Sequence, residues 1–283
     1  MKNNLKILCL ALCTLPIYLH AGTGQDPKVS PPTDQEQKAR IADPIPAGTI
    51  LPVSLNSTLR SDKSPNGAAI TATVLQDVPL GRGEMLRKGT KVTGHVVEVI
   101  TPGKGTDESK ISFQFDQVRL GDLSVPITTT LRAIASTSAV LAASPALTSP
   151  DYADYEIQIG GDQISYGTGS PVMVGSQVVG KYTSQGVLAN VDQDMGTPCG
   201  GRINSKAQPQ AFWRFSVNAC GSYGFGDLSV LQSGRTDPLG EVTLASTHKA
   251  VKVEKGSAML LRVDVSGPEE AQAHTTLSRG AGQ

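Results

Sequence analysis

The sequence predicts an all-β protein: a barrel-like or sandwich module that is discontinuous in the chain, interrupted by an inserted β region carrying a disulfide. Apolar and polar residues alternate with a period of two in many short segments, which is the pattern of half-buried strands. The 30 Gly and 18 Pro residues favour turns between such strands over long helices. The amino-acid composition also changes after Arg132 and returns to the earlier composition near Leu239, which indicates an insertion.

Residues 1–21 have the order of a secretory signal peptide. Lys2 and Lys6 precede an apolar stretch that ends at Leu19, and the small residue Ala21 follows it. The apolar stretch is shorter than the roughly 20 residues that a membrane-spanning helix needs, so cleavage is favoured over retention as an anchor. We therefore expect an exported protein that lies in the periplasm, at the outer membrane or outside the cell.

The rest of the chain divides into four parts by composition. Residues 22–43 and 268–283 are polar segments whose few large apolar residues cannot offset the entropy lost on ordering, so we predict a disordered linker and a disordered tail. Between them we expect the β module, residues 44–132 plus 239–267, and the inserted β region, residues 150–238. An Ala/Ser-rich passage from Arg132 to Ser149 joins the two and predicts either a linker or one short helix that ends near Pro145.

The period-two pattern predicts four strands in the first part of the module. They are Leu51–Leu55, Ile70–Val74, Ile111–Phe115 and Leu123–Ile127. A Gly followed by Thr or Ser also precedes an apolar run three times, at Gly48, Gly89 and Gly256, as expected where a chain turns sharply before a strand. We expect the three strands that follow these glycines to lie in one sheet system.

The second of these strands has a break in its alternation at Gly94. Val97 and Val99 fall on the opposite parity from Val92, so a regular strand would leave them on the wrong face. A β-bulge at Gly94 would turn all three valines toward the core.

The inserted region contains five strand candidates and both cysteines that lie beyond the signal. The candidates are Tyr155–Ile159, Pro171–Gly175, Gly186–Val191, Phe212–Val217 and Leu228–Leu231. In an oxidising compartment Cys199 and Cys220 are expected to form a disulfide. A disulfide that closes this loop of about twenty residues is expected to stabilise the fold by about 3 kcal/mol, from the entropy that it removes from the unfolded chain.

Composition and spacing exclude several classes of function. The chain has 25 basic and 25 acidic residues, without the basic excess that nucleic-acid binding normally requires, so we expect no nucleic-acid partner. His95, His248 and His274 are too widely spaced for a zinc site, and no nucleophile elbow or phosphate-binding loop is present. We therefore predict no catalytic residues, no metal and no cofactor.

Two features of the inserted region are candidates for ligand binding. Phe212, Trp213 and Arg214 could form an aromatic platform for a sugar or a peptide, although core packing is the simpler interpretation. A loose group of acids could serve hydrolysis or bind calcium, but it lacks the regular spacing of a calcium loop, so we expect solvated loop charges. This group comprises Asp151, Asp154, Glu156, Asp162, Asp192 and Asp194.

A family resemblance adds to this interpretation. The motifs that carry it are Pro46-Ala-Gly-Thr-Ile50, Ser61-Asp62, Ala72-x-Val74, Asp77-Val78 and Lys88-Gly-Thr-Lys-Val-Thr-Gly94. Together they resemble the β-domain of the TrbI-like core-channel proteins of type IV secretion and conjugation systems, over about residues 46–97 and also 255–265. The resemblance implies a barrel-like module that assembles into an envelope ring without catalysis, with copies of itself or other envelope proteins as partners.

Two functions of different classes follow. The first is an exported cell-envelope binding or assembly protein, a structural component like those of secretion or conjugation channels, associated with the outer membrane or cell wall. The alternative is a secreted hydrolase or carbohydrate-binding protein that uses the inserted region. A deep pocket joining Trp213 to a pair of carboxylates would favour the alternative, and a flat apolar or strand-edge surface would favour assembly.

Overall fold

A computed structural model of the protein describes residues 45–101, 108–143, 154–161, 163–166, 171–192 and 202–266. This part of the chain forms strands throughout, with one short helix. The strands of the first half are β1 (Ile50–Leu55), β2 (Leu59–Arg60), β3 (Ala69–Val74), β4 (Val78–Gly81), β5 (Glu84–Leu86), β6 (Lys91–Ile100), β7 (Ser109–Leu120) and β8 (Leu123–Ala135), followed by helix α1 (Thr137–Ala142).

Eleven further strands follow the helix in the described residues. They are β9 (Asp154–Ile157), β10 (Gln163–Tyr166), β11 (Pro171–Val174), β12 (Gln177–Thr183), β13 (Gly186–Asn190), β14 (Pro209–Trp213), β15 (Gly221–Tyr223), β16 (Leu228–Ser233), β17 (Val242–Ser246), β18 (Lys252–Val253) and β19 (Ala258–Ser266). None of the described helices is both long enough and apolar enough to cross a membrane.

Six strands close an antiparallel barrel in the order β1, β3, β6, β7, β8, β19 and back to β1. The last strand of the chain thus pairs with the first, from Ile50 opposite Arg262 to Ser54 opposite Ala258. The predicted all-β, barrel-like fold is confirmed, and so is its discontinuity in the sequence.

Three turns of the same kind lead into β1, β6 and β19. Gly48, Gly89 and Gly256 have φ values of 86°, 90° and 89°, which favour glycine. In each turn the N–H of the following Thr or Ser donates to the carbonyl three residues back, at 3.0–3.1 Å, as in a type II turn. Each glycine N–H donates to a neighbouring segment of the barrel, to Val263, Val74 and Leu55 respectively. The expectation that these strands share one sheet system is confirmed.

The bulge predicted at Gly94 needs correction. The pairing of β6 with β7 shifts at Thr93/Gly94, where Asp116 of β7 is the extra residue, and again at Val96/Glu98, where Val97 of β6 is the extra residue. Val92 is buried and Val99 packs against the barrel core, as predicted, whereas Val97 is turned away and half-exposed and Val96 is buried instead. Counting alternate residues along β6 gave the wrong face for Val97, because two bulges, one on each of the paired strands, shift the register.

The barrel interior is filled by side chains. Phe113 and Phe115 lie edge to face with ring centroids 5.9 Å apart, and every barrel strand contributes apolar residues around them. The fully buried members include Leu51, Leu55, Ile70, Ile111, Ile134, Met259 and Leu261. Burial of this apolar cluster is the main stabilising contribution of the module.

A second, six-stranded antiparallel sheet follows the chain order from β9 to β14. A parallel bridge between Ile159 and Phe215 joins residues that follow its two edge strands. The next two strands lie in the barrel sheet instead, because β15 pairs in parallel with β8 and β16 pairs with β17, which pairs with β7. The region predicted as an insertion therefore contributes strands to both sheets.

The second sheet packs on the outer face of the barrel. A separate apolar cluster there joins Ile50, Ala133 and Leu260 of the barrel to Val187 and Phe212 of the second sheet. Small residues on the barrel side, including Ala135 and Ala258, allow this close approach.

The predicted Ala/Ser-rich passage combines strand and helix. Its first residues complete β8, and Ser136 then caps α1 by accepting a hydrogen bond from the Ala139 N–H at 3.2 Å. Pro145, where we expected the helix to end, lies outside the described residues.

Candidate functional site

The predicted platform of Phe212, Trp213 and Arg214 lies where the second sheet meets the barrel. Phe212 is fully buried in the cluster between the two sheets. The Arg132 guanidinium lies 5.2 Å from its ring centroid and donates to the carbonyls of Val217 and Ala219. Burial lowers the pKa of Arg132 to about 10, which leaves it charged at neutral pH. Only Trp213 and Arg214 are therefore placed near solvent.

Trp213 has a backbone conformation that bulky residues rarely adopt. Its φ of 51° ends β14 and starts a turn in which the Phe215 N–H donates to the Phe212 carbonyl. This turn explains why the strand predicted over Phe212–Val217 stops at Trp213. The buried Gln76 holds the turn, because its Oε1 accepts the Trp213 N–H at 2.8 Å.

Neighbouring side chains contact the Trp213 indole. The Arg214 guanidinium lies 5.0 Å from its centroid, and the Phe215 ring lies 6.4 Å away at a tilt of 52°. Gly186 packs directly against the Trp213 backbone, since a Cβ there would be 2.7 Å from the Trp213 Cα. The indole thus forms part of a packed cluster at the junction of the sheets, which reduces the ring surface open to a ligand.

The predicted disulfide joins a described residue to one outside the described ranges. Cys199 lies outside them, and Cys220 follows the second sheet just before β15. The Cys220 N–H donates to the Tyr223 hydroxyl at 2.8 Å. The pairing of Cys199 with Cys220 stays a prediction.

Glu156 corrects the expectation that the acids of the inserted region are solvated. It lies on β9, only 2 % exposed, and its Oε1 makes no hydrogen bond. Asp192 accepts from the Asn204 amide at 2.5 Å, while Asp151, Asp162 and Asp194 lie outside the described residues. A carboxylate on the buried face of a strand cannot be distinguished by composition from a surface acid.

Burial determines the ionisation of Glu156. Loss of solvation raises the pKa of its carboxyl to about 7, and the positive charge of Arg214 opposes this rise. The side chain is therefore poised to exchange a proton near neutral pH. Its burial separates it from bulk solvent and from any large substrate.

We predict that Glu156→Gln removes a pH-dependent loss of stability. Because the folded-state pKa lies above the unfolded value, the folded state retains the proton, and stability is lost as pH rises from about 4.3 to about 7. The loss amounts to about 3 kcal/mol at pH 8. Urea unfolding at pH 5 and pH 8 should show a smaller difference for Glu156→Gln than for the parent. The exposed Glu98→Gln is the control, and equal pH dependence in both variants would contradict the prediction.

The three histidines whose spacing spoke against a zinc site lie apart, as far as the structure describes them. Half-exposed His95 has Nδ1 2.9 Å from Asp116 Oδ2 and Nε2 3.1 Å from the Gln114 amide, so both ring nitrogens have partners. His248 lies exposed in a bend after β17, and His274 is outside the described ranges. Among the residues that the structure describes, no three metal-ligating side chains group together.

The open face of the second sheet carries exposed apolar side chains. Ile157 on β9 is 55 % exposed and Val178 on β12 is 53 % exposed, with the partly buried Met173 of β11 paired opposite Val178. The sequence analysis missed this surface because its strand pairing could not be predicted. Exposed apolar groups on a sheet face are typical of contact surfaces.

Comparisons with protein families, curated proteins and solved structures find no match to this chain. The resemblance of residues 46–97 to TrbI-like proteins therefore stays a prediction from the sequence.

Proposed function

We propose that this protein is an exported component of the cell envelope that acts by binding and assembly, like the structural subunits of secretion or conjugation channels. The observation that supports this proposal most is the closed barrel. Residues 46–97, which carry the TrbI-like motifs, supply its first strands, and residues 255–265 supply the strand that pairs with β1. Because side chains fill the barrel interior, we expect a partner to bind to the outer surface of the barrel or to the second sheet.

The open face of the second sheet is the surface best suited to assembly. It presents Ile157 and Val178 to solvent on the side away from the buried residues of the neighbouring strands, Ile164 of β10 and Val172 of β11. Strand β9 lies at the edge of this sheet and can accept a further strand. An apolar face beside an edge strand fits a second copy of the chain or another envelope protein.

Site-specific photocrosslinking in cells that produce the protein natively tests this proposal. A photoreactive phenylalanine analogue at Val178 is expected to yield a discrete product, either with a second copy or with one other envelope protein. The matched control places the same analogue at Glu84, which is exposed on the β4–β5 hairpin. Equal, diffuse crosslinking from both positions, or none from Val178, would contradict assembly through this face.

The second candidate is a secreted carbohydrate-binding protein or hydrolase. The half-buried Trp213 and the raised pKa of Glu156 favour it, since strained and perturbed groups occur often at functional sites. Glycoside hydrolysis, however, needs two carboxyl groups on either side of the scissile bond, and Glu156 is almost completely buried. Binding of soluble glycan fragments that is lost in Trp213→Ala, with an unchanged unfolding midpoint, would favour this candidate.

A further inference from the structure

A cleft of about 280 Å³ with charged and apolar lining residues lies between the β2–β18 pair and the start of β16. It is separate from the second sheet and from every candidate site predicted from the sequence. The residues that define its chemistry are Arg60, Phe225, Asp227, Leu228, Lys249 and Lys252. Its volume suits a small molecule better than a macromolecule.

The base of the cleft is held in place by buried serines. The Val251 N–H donates to Ser61 Oγ at 2.9 Å and to Ser109 Oγ at 3.1 Å. Ser109 Oγ in turn donates to the Lys249 carbonyl. Because both serines are buried, the segment that carries Lys249 is fixed against the barrel before any ligand arrives.

Three cations and one carboxylate line the cleft, and two of the cations pair with carboxylates beside it. Arg60 binds Asp62 through Nε and Nη2, at 2.8 and 2.7 Å, which leaves Nη1 on the far side of the guanidinium. Lys252 contacts Glu254 at 2.5 Å, and Lys249 forms no ion pair with the described residues. Such solvent-exposed pairs are weak, so their cations remain able to attract an anion.

One carboxylate and an apolar wall complete the cleft. Asp227 accepts a hydrogen bond from Ser246 Oγ at 2.8 Å through Oδ2. Phe225 and Leu228 supply an aromatic and an aliphatic surface next to the charges. This combination fits a ligand with an anionic head and an apolar or aromatic body.

We propose that the cleft binds a small organic anion, whose carboxylate or phosphate head contacts Lys249 and Arg60 while its body packs on Phe225 and Leu228. Asp227 faces the same cleft and opposes an anion. Removing the positive charge of Lys249 should therefore weaken binding of the ligand. Removing the negative charge of Asp227 should strengthen it. This function is independent of the proposed assembly surface.

Titration calorimetry of the purified protein with phenyl phosphate and with benzoate tests the proposal. Both probes carry a ring and an anionic head. The probe with the lower dissociation constant identifies the preferred head group. Phenol and benzylamine, which share the ring but are neutral or cationic, are expected to bind at least about tenfold more weakly because charged hydrogen bonds are lost. No binding of either anion at millimolar concentration, or equal binding of phenol, would overturn the proposal.

Three variants localise the binding. Lys249→Gln is expected to weaken binding of the tighter probe about tenfold through loss of a charge-assisted contact. Asp227→Asn is expected to strengthen it about threefold by removing an exposed like-charge interaction while an amide oxygen still accepts from Ser246. Lys88→Gln, at an exposed lysine on the turn before β6, is the control and should bind as the parent does. All of these side chains are exposed, so thermal midpoints should not change, and parental affinity in both cleft variants would overturn the assignment.

Discussion

Ending the chain at Ser257 should abolish the cooperative unfolding of the barrel. This truncation removes β19, which lies between β1 and β8 and buries Met259, Leu260, Leu261 and Val263. Four large apolar side chains contribute about 6–12 kcal/mol at 1.5–3 kcal/mol each, which is comparable to the whole stability of a domain. Two unpaired strand edges would also be exposed, so we expect aggregation.

The matched control for this truncation ends the chain at Ser266. It keeps β19 complete and removes only residues 267–283. Urea unfolding followed by circular dichroism should give one sharp transition for the control and none for the shorter chain. A sharp transition with the parental midpoint in the chain that ends at Ser257 would mean that β19 does not close the barrel.

Substituting Gly94 by alanine should be among the most damaging single changes. A Cβ at this position would lie 1.9 Å from the Gln114 carbonyl oxygen, so β6 and β7 would have to separate beside the bulge. The neighbour is backbone and cannot move aside cheaply, and we expect a loss of about 3 kcal/mol.

Gly226 is the matched control for Gly94→Ala. A Cβ at Gly226 meets nothing within 4 Å, and its φ is not in the positive range, so Gly226→Ala should change stability by less than about 0.5 kcal/mol. Denaturant midpoints of the two variants provide the comparison. Equal, small effects would show that the two barrel strands are not as close at Gly94 as the structure places them.

Local pattern was sufficient to predict the strands whose alternate residues point into the barrel. Leu51, Ile70, Ile111 and Ile127 were placed on core faces by period two alone, because side chains that point into the barrel recur at every second residue. The three glycine turns were also predictable, since a positive φ before a strand demands glycine. The predicted discontinuity followed from the repeated turns and the change in composition.

The features that could not be predicted from the sequence depend on contacts between residues far apart in the chain. Val97 turns outward because of bulges on two paired strands, and Trp213 leaves its strand because Gln76, which lies far away in sequence, holds its backbone. Glu156 is buried on one face of β9 while the neighbouring Ile157 is exposed, and composition does not reveal which face is covered. The cleft at Lys249 combines residues from three distant segments, and no local motif marks it.

Fractionation of native cells, followed by intact-mass measurement and native gel analysis, tests most directly whether this protein is exported and assembles in the envelope. We expect a chain that lacks about its first 21 residues, found in the envelope fraction within a discrete complex larger than a single chain, whose full unprocessed mass is 29.5 kDa. A full-length, monomeric protein in the cytosol would contradict both export and assembly.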